Sequence, residues 1–411
     1  MIKEINIGCA STNTSYGRRL DTTLVELNSK ASVSALFTSN KFKSAPVQVC
    51  LSHIKMKKKG RKILAINAGN ANAATGKKGV LDTKKLVKEI SDLSGVPSSH
   101  ILPFSTGVVG QLLNTKSLSL AFNECFKNLN KNSWDDFATS IMTTDTKSKV
   151  IKLPFKIGSK KYHIVGVAKG VGMIEPNMAT TLSYVFTDLK ISDSLLKKLH
   201  KRICDKTFNA VSIDGDQSPS DSNILVATGT SEIDVKKNLT KIEKDIFLVF
   251  QKLSEKLVLD GEGSTKLLNI TVKGLSSELS CKKVAMKIAN SPLVKTAAYG
   301  EDPNWGRIVV AAGNADVEEF DIEKLSLKIG KHSVLVNGNL SKKYKESQGK
   351  KEFKKRKINL ELSIGNSKNS FTVIGSDLTK EYISINSDYS CLLYTSPSPR
   401  DLSTSRMPSS A

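Results

Sequence analysis

The residues best suited to chemistry lie in one glycine-rich segment, between residues 166 and 182. Three glycines surround Lys169, and a Pro-Asn turn at residues 176–177 leads into a β-rich run that begins at Thr180. A threonine at the start of a strand, behind small residues, is a candidate nucleophile for acyl transfer. If the Ala179–Thr180 peptide bond breaks, Thr180 gains a free α-amine whose pKa is about 7.7–8.0 in peptides. That amine can act as the base for the threonine hydroxyl, so that no histidine is needed.

Two other interpretations of this segment stay open on local sequence alone. A phosphate loop is disfavoured because the order GxxxxGK[ST] is absent and a strand follows where a helix should begin. Such an enzyme would lose nucleotide binding when Lys169 is changed. A glycine-rich turn that leads into a buried strand fits the local sequence as well as a nucleophile does.

Acyl transfer also needs hydrogen-bond donors directed at the developing oxyanion, and Thr106 and Gly107 can provide them. Both follow the apolar run at residues 101–104. A glycine lets the backbone N–H approach a ligand closely, and the threonine hydroxyl supplies a second donor. The motif is weak alone, because many turns resemble it.

Histidine and cysteine are scattered in this chain, which argues against a metal site or a Ser-His-Asp triad. The five histidines are isolated in sequence, at positions 53, 100, 163, 200 and 332. The six cysteines form no CxxC pair, at positions 9, 50, 125, 204, 281 and 391. We therefore expect no metal, no cofactor, and reduced thiols in a cytoplasmic protein.

The net charge of +23 comes mainly from lysine, since only 8 of the 62 basic residues are arginine. Lysine is spread along the chain, whereas nucleic-acid readers concentrate basic residues and use arginine forks. No apolar run approaches the 18 or so residues that span a bilayer, and no signal peptide is evident. We expect neither nucleic acid nor membrane as a partner. A non-catalytic basic protein that binds a polyanion remains an alternative, and it predicts an uncut chain and salt-sensitive binding.

Strand-like and helix-like segments alternate, which predicts an α/β (α+β) fold. Residues 62–67 form a predicted buried strand, and a helix is predicted from its cap at Asp82 to Gly95. Further elements are predicted after Ser192 (a helix) and at residues 243–256 (helix), 282–290 (helix), 358–364 (strand) and 371–374 (strand). We divide the chain into a larger catalytic domain at residues 1–275 and a smaller C-terminal α/β domain at 276–390. The Ser/Pro-rich residues 391–411 are expected to be a non-native tail, typical of adapter read-through, and are excluded from the fold.

Longer motifs resemble the ornithine acetyltransferase family, the glutamate N-acetyltransferases of arginine biosynthesis. The strongest is KGxGMIxPNMAT, which here begins at Lys169 and ends at Thr180. Similar blocks occur on both sides of it in the family's order, at residues 35–40, 45–47, 67–73, 142–146, 299–308, 376–379 and 385–389. The resemblance covers roughly residues 30 to 390, and so many ordered blocks make coincidence implausible.

The resemblance implies a two-domain, self-processing acetyltransferase fold of the N-terminal-nucleophile kind. The precursor would cut itself between Ala179 and Thr180, and the two fragments would assemble as α2β2 in the cytoplasm. Thr180 would take the acetyl group from N-acetylornithine and pass it to glutamate in a ping-pong cycle. Thr106 and Gly107 would form the oxyanion hole. The positions implied to hold substrate are Thr143, Lys169, Thr180, Glu262 and Asn386.

Several points stay open within this resemblance. The sequence does not settle whether acetyl-CoA also serves as an acetyl donor. A related self-processing amidase or aminopeptidase would share the nucleophile but give its acyl group to water. The family's DGDTSTND block here runs from Asp214 to Asp221 as DGDQSPSD, a departure expected to affect packing more than chemistry. A substrate-holding threonine near the family's C-terminus falls at Cys391, so that contact is not assigned.

Overall fold

The computed structural model describes residues 2–14, 17–55, 59–175 and 181–387. Over these residues the chain forms sixteen strands and eleven α-helices, and the strands make three sheets. None of the helices in these ranges combines the length and the apolar character that a membrane span requires. Ala179, Thr180 and the predicted tail lie outside the described residues.

In chain order, the strands are β1 (Ile5–Ala10), β2 (Thr22–Leu27), β3 (Ser32–Phe37), β4 (Lys62–Asn70), β5 (Ile101–Val108), β6 (Lys149–Ile157), β7 (Lys160–Lys169), β8 (Leu182–Thr187), β9 (Val211–Ser212), β10 (Ser222–Ala227), β11 (Leu267–Lys273), β12 (Ser326–Ile329), β13 (His332–Val336), β14 (Asn339–Leu340), β15 (Lys357–Ser363) and β16 (Ser370–Ser376). The helices are α1 (Ala45–Ile54), α2 (Gly76–Ser94), α3 (Thr115–Lys127), α4 (Trp134–Ser140), α5 (Asp193–Asp205), α6 (Leu239–Leu259), α7 (Glu278–Ala289), α8 (Pro292–Tyr299), α9 (Trp305–Gly313), α10 (Glu346–Phe353) and α11 (Lys380–Ser387).

Two of the sheets carry the residues of interest at their strand ends. The first has the order β1-β2-β4-β5, and its β4 and β5 are parallel with Gly69 opposite Gly107. The second has the order β3-β10-β8-β7-β6. There β8 runs parallel to β10 and antiparallel to β7, which places Lys169 opposite Leu182. The predicted α/β (α+β) class, with mixed sheets flanked by helices, is confirmed.

The first two sheets stack face to face between two helical layers. One face of the first sheet packs on α2 and α3, and its other face packs on the second sheet. Phe104 and Tyr184 meet edge to face across this interface, with ring centroids 5.4 Å apart. The outer face of the second sheet is covered by α5 and α6. Alternating apolar side chains let each strand contribute to two cores.

The helix predicted at Asp82 begins earlier, at Gly76, so the predicted capping role of Asp82 is wrong. Asp82 instead lies one turn after Lys78, and the two side chains form an ion pair. An i,i+4 partner satisfies the carboxylate inside a helix, which removes the need for a cap position. The predicted apolar face of this helix is buried, and Gly95 ends it with a left-handed φ of +67°.

The third sheet has seven strands in the order β14-β13-β12-β15-β11-β16-β9, and α7, α8 and α9 pack on it. Its first long strand, β11, ends at Lys273, just before the predicted domain boundary at residue 275. The short β9 pairs with β16, so a segment from the middle of the chain also joins this sheet. The division into domains at residue 275 stays a prediction.

Candidate active site

Thr106 and Gly107 lie near the end of β5, where the backbones of β4 and β5 come very close. Gly107 has a φ of +128°, a conformation that L side chains rarely adopt. A Cβ added to Gly107 would lie 2.3 Å from the carbonyl carbon of Gly69. Only glycine fits this position, and Thr106 beside it is buried.

The small-residue loop after β4 supports this strand end through hydrogen bonds. Ser105 Oγ donates to Asn67 Oδ1 at 2.5 Å, and Asn67 Nδ2 donates to the Asn70 carbonyl oxygen at 3.0 Å. The Ala71 N–H donates to the Val108 carbonyl oxygen at 2.9 Å. These bonds fix the main chain on both sides of Thr106 and Gly107. The side chains of Asn67 and Ser105 were not predicted as site residues.

Lys169 ends β7 and is buried, with 3% of its surface exposed. Its Nζ donates to Thr143 Oγ1 at 3.1 Å. Burial lowers the pKa of Lys169, and the negative charge of Asp145 opposes that shift. Two predicted substrate residues, Thr143 and Lys169, are thus in direct contact.

A buried carboxylate, Asp145, holds the main chain around this pair. It accepts hydrogen bonds from Thr143 N at 3.0 Å and from Gly170 N at 2.8 Å. Burial raises the pKa of Asp145, but the charges of Lys169 and Lys149 and the hydrogen bonds from Lys149 and Gly170 N outweigh it and hold the pKa below its ordinary value. Asp145 is therefore charged. Its hydrogen bonds order the main chain at Thr143, before β6, and at Gly170, after β7.

Lys149 links Asp145 to a second carboxylate, Asp260. Its Nζ lies 2.5 Å from Asp145 Oδ1 and 2.5 Å from Asp260 Oδ2. Asp260 also accepts a hydrogen bond from Thr146 N at 3.2 Å. Because Asp260 stands two residues before Glu262, this network joins the Glu262 loop to the Thr143 segment.

Glu262 is the point where three segments meet. Its carboxylate accepts hydrogen bonds from Asn386 Nδ2 at 3.0 Å and from Thr144 Oγ1 at 3.4 Å. A Cβ at Gly172 would lie 2.7 Å from Glu262 Oε2, so the glycine-rich segment passes directly against the carboxylate. The structure thereby brings Glu262 and Asn386 together.

The divergent block at residues 214–221 contacts the site mainly through its acids and main-chain groups. Asp214 accepts hydrogen bonds from Met173 N at 2.6 Å and Ile174 N at 2.9 Å. The replaced position Pro219 accepts a hydrogen bond from Ser44 N at 2.9 Å through its carbonyl oxygen. A carbonyl is available from any residue type, so this contact does not depend on which residue stands at position 219.

The predicted residues therefore fall into two groups at the strand ends of neighbouring sheets. Thr143, Lys169, Glu262 and Asn386 belong to one hydrogen-bonded region, and Thr106 and Gly107 belong to the other sheet. Hydrogen bonds from Thr38 N to the Asp221 carbonyl oxygen (3.1 Å) and from Ala45 N to the Asn72 carbonyl oxygen (3.0 Å) tie the intervening loops to these sheet ends. β8 begins two residues after the predicted nucleophile, and its first residue, Leu182, lies opposite Lys169.

The ionic network of Asp145, Lys149 and Asp260 was not predicted as part of the site. Asp145 stands inside the MTTDT block and could have been singled out there, whereas nothing local marks Lys149 among so many lysines. Within the described ranges, no group of three or more His, Cys, Asp or Glu side chains could hold a metal ion. The five described cysteines are buried.

Comparisons with known proteins identify the family to which the chain belongs. The arginine biosynthesis bifunctional protein ArgJ of Colwellia psychrerythraea is 36% identical over 407 residues, covering 94% of this chain and 96% of that protein. ArgJ of Pseudomonas fluorescens is 35% identical over 388 residues, covering 93% and 95%. A crystal structure of ArgJ from Bacillus halodurans is similar over 50% of this chain and 98% of its own, with 29% identity and a TM-score of 0.48. The sequence profile of the ArgJ family matches residues 6–391, and the chain belongs to this family.

Proposed function

We propose that this protein is a glutamate N-acetyltransferase that moves the acetyl group of N2-acetylornithine to glutamate. The observation that carries the proposal is that one hydrogen-bonded region holds a buried cation, Lys169, beside the start of β8, and a carboxylate, Glu262. Both substrates are amino acids, so each offers a carboxylate for a cation and an amine for a carboxylate. The names of the ArgJ relatives, which are arginine biosynthesis proteins, support the same assignment.

The proposed cycle begins with cleavage of the Ala179–Thr180 bond, which frees the α-amine of Thr180. That amine takes the hydroxyl proton as Thr180 Oγ attacks the acetyl carbonyl of N-acetylornithine. The C–N bond then breaks, ornithine leaves with the proton, and an acetyl ester remains on Thr180. The amine of glutamate attacks the ester, and Thr180 regains its hydroxyl proton as N-acetylglutamate leaves.

Thr106 and Gly107 are proposed to donate hydrogen bonds to the oxyanion in both half-reactions. The close contact of Gly107 with Gly69 supports this role, because it fixes the donor before the substrate arrives. A preorganised donor needs no rearrangement as the charge develops, and loss of one typically costs about 100- to 1,000-fold in rate.

Thr143, Lys169, Glu262 and Asn386 are proposed to hold the substrate together with Thr180. In this arrangement Lys169 pairs with the substrate carboxylate, and Glu262 receives the free side-chain amine of N-acetylornithine. The contacts Lys169–Thr143 and Glu262–Asn386 support the grouping. The word bifunctional in the names of the relatives suggests a second donor, and we propose acetyl-CoA for that role. An α2β2 assembly in the cytoplasm remains part of the proposal.

The first test compares the intact masses of the purified protein and its Thr180→Ala variant. Two fragments from a break between Ala179 and Thr180 in the purified protein, and an intact chain in the variant, would support Thr180 as the nucleophile. An uncut chain in both would remove the free amine that the mechanism needs, and would favour the alternative of a basic polyanion-binding protein.

The second test separates transfer from hydrolysis. The cut protein is given N-acetylornithine with and without glutamate, and ornithine, N-acetylglutamate and acetate are measured. Ornithine release that depends on glutamate supports the transferase. Release of acetate at the same rate without glutamate would identify the protein as a related amidase instead.

A further inference from the structure

Asp221 is a buried carboxylate that accepts a hydrogen bond from the residue directly after the proposed nucleophile. It lies immediately before β10 and is only 1% exposed. Its Oδ1 accepts a hydrogen bond from Thr181 N at 2.8 Å. The next residue, Ser222, donates its N–H to the Thr181 carbonyl oxygen at 3.0 Å. Thr181 is therefore held from both its amide and its carbonyl side.

The second carboxylate oxygen of Asp221 has no hydrogen-bond partner among the described residues, although it is fully buried. Leaving a buried polar atom without a partner costs free energy, and such atoms in native proteins need an explanation. A neutral side chain such as asparagine would satisfy the Thr181 N–H as well. The hydrogen bond from Thr181 N therefore does not by itself explain a carboxylate at this position.

Lys169 is the cation whose charge acts on this carboxylate. Burial raises the pKa of Asp221 well above its ordinary value, and the Thr181 N–H and the Lys169 charge oppose that shift. For Lys169, burial lowers the pKa, and the charge of Lys149 lowers it further. The charges of Asp145, Asp221 and Glu262 raise it. Asp221 is thus one of three acids that favour the charged form of Lys169.

The register of the second sheet explains this proximity. Lys169 lies opposite Leu182 on β7 and β8, and Leu182 lies opposite Ser222 on β8 and β10. Lys169 and Asp221 therefore flank the start of β8 from the two neighbouring strands. Of the three acids, Asp221 is the one that also holds the main chain at this start.

We propose that Asp221 is a positioning residue of the acetyl transfer, which fixes the chain at Thr181 and acts from across β8 on Lys169, the cation proposed for the substrate carboxylate. The inference rests on the proposed function for its role in catalysis. The interactions of Asp221 with Thr181 and Lys169 do not depend on which acyl acceptor the enzyme uses.

The test uses Asp221→Asn, which retains an acceptor for Thr181 N but removes the charge. The matched control is Asp188→Asn, because Asp188 also accepts a backbone hydrogen bond, from His163 N at 3.0 Å, and follows the opposite end of β8. We expect Asp221→Asn to lower kcat/KM about 10- to 100-fold. The change should lie mainly in KM, because Asn keeps the acceptor for Thr181 N but weakens the charge that Lys169 offers to the substrate carboxylate. The alkaline limb of its pH profile should move to lower pH. Asp188→Asn should change neither.

A second readout is independent of activity. The Lys169 side chain is followed by its 13Cε resonance during a pH titration, assigned by the loss of that signal in Lys169→Met. The Lys169 pKa should fall in Asp221→Asn and stay unchanged in Asp188→Asn. An unchanged Lys169 pKa together with unchanged kinetics would overturn the inference. If the wild type transfers no acetyl group but the Lys169 pKa still falls, the proposed function fails while the coupling stands.

A double variant covers the case in which Asp221→Asn does not fold. If the unpaired Lys169 charge causes the failure, adding Lys169→Met should restore a folded protein, as judged by its thermal unfolding. If the double variant also fails to fold, the proposed action of Asp221 on Lys169 is wrong and only its hold on the main chain at Thr181 remains.

Discussion

Lys149 Nζ lies 2.5 Å from Asp145 Oδ1, and both side chains are almost completely buried. Removing two charges from water is costly, and their attraction compensates only where the geometry is good and the remaining polar atoms are bonded. Here Asp145 also binds two backbone N–H groups, and Lys149 also contacts Asp260. The pair thereby connects the Thr143 segment, the end of β7 and the Glu262 loop.

Replacing Lys149 by methionine should destabilise the protein by about 3–5 kcal/mol, because two buried carboxylates lose their cation. The free energy of unfolding from urea titrations measures this. The control is Lys152→Met on the same strand, whose ion pair with Asp135 is exposed on both sides. That pair should contribute less than about 1 kcal/mol. Equal losses in the two variants would show that the buried network does not carry the expected stability.

Changing Gly107 to alanine should abolish most of the proposed acetyl transfer. The added Cβ would clash with Gly69 in a backbone conformation that alanine rarely adopts, so the donor at residue 107 must shift. We expect kcat to fall by about 100-fold or more. Gly313→Ala is the control, because a Cβ there meets no atom within 4 Å. Steady-state rates of ornithine release with glutamate present decide the outcome.

The local elements could be predicted from the sequence because short-range patterns specify them. The apolar positions Leu86, Val87 and Ile90 recur with helical spacing and do form the buried face of α2. Gly95 ends that helix in a left-handed conformation, as a glycine after a helix commonly does. β4 likewise begins at Lys62 as predicted and extends beyond the predicted end to Asn70.

The site's supporting network could not be predicted, because its contacts join distant parts of the chain. Lys149 and Asp260 are 111 residues apart, and neither stands in a pattern of charge or hydrophobicity. Asp221 and Thr181 are 40 residues apart and meet only because β8 and β10 are parallel neighbours. For Asp82 a local pattern was misleading. It predicted the start of a helix there, but the helix begins at Gly76 and Asp82 forms an ion pair with Lys78 inside it.

Glu262→Gln should weaken binding of N-acetylornithine more than it slows the chemical step. The neutral amide keeps the size of Glu262 but loses the charge that the substrate amine would meet, and hydrogen bonds to charged groups are the stronger ones. We expect KM to rise about 10- to 100-fold with a smaller change in kcat. The control is Glu255→Gln on α6, which pairs with the exposed Lys357 and should keep the wild-type KM. A fall in kcat alone would contradict a binding role for Glu262.

His200 should make the stability of the protein sensitive to mild acid. It is fully buried, with Nδ1 2.9 Å from Ser34 Oγ and Nε2 2.8 Å from Asn223 Oδ1. Burial lowers the pKa of His200 from 6.5 to about 4 in the folded protein. The unfolded chain therefore binds more protons between these two values, and the free energy of unfolding falls as the pH drops through this window.

The expected loss is about 2 kcal/mol between about pH 7.5 and pH 5, and most of it falls below about pH 6.5. Urea titrations of the wild type and of His200→Gln at both pH values test this. The variant should be less stable at the higher pH, because two buried hydrogen bonds are disturbed, but it should lose less stability on acidification. If both proteins lose the same amount, the pH dependence arises from other groups and not from the buried imidazole.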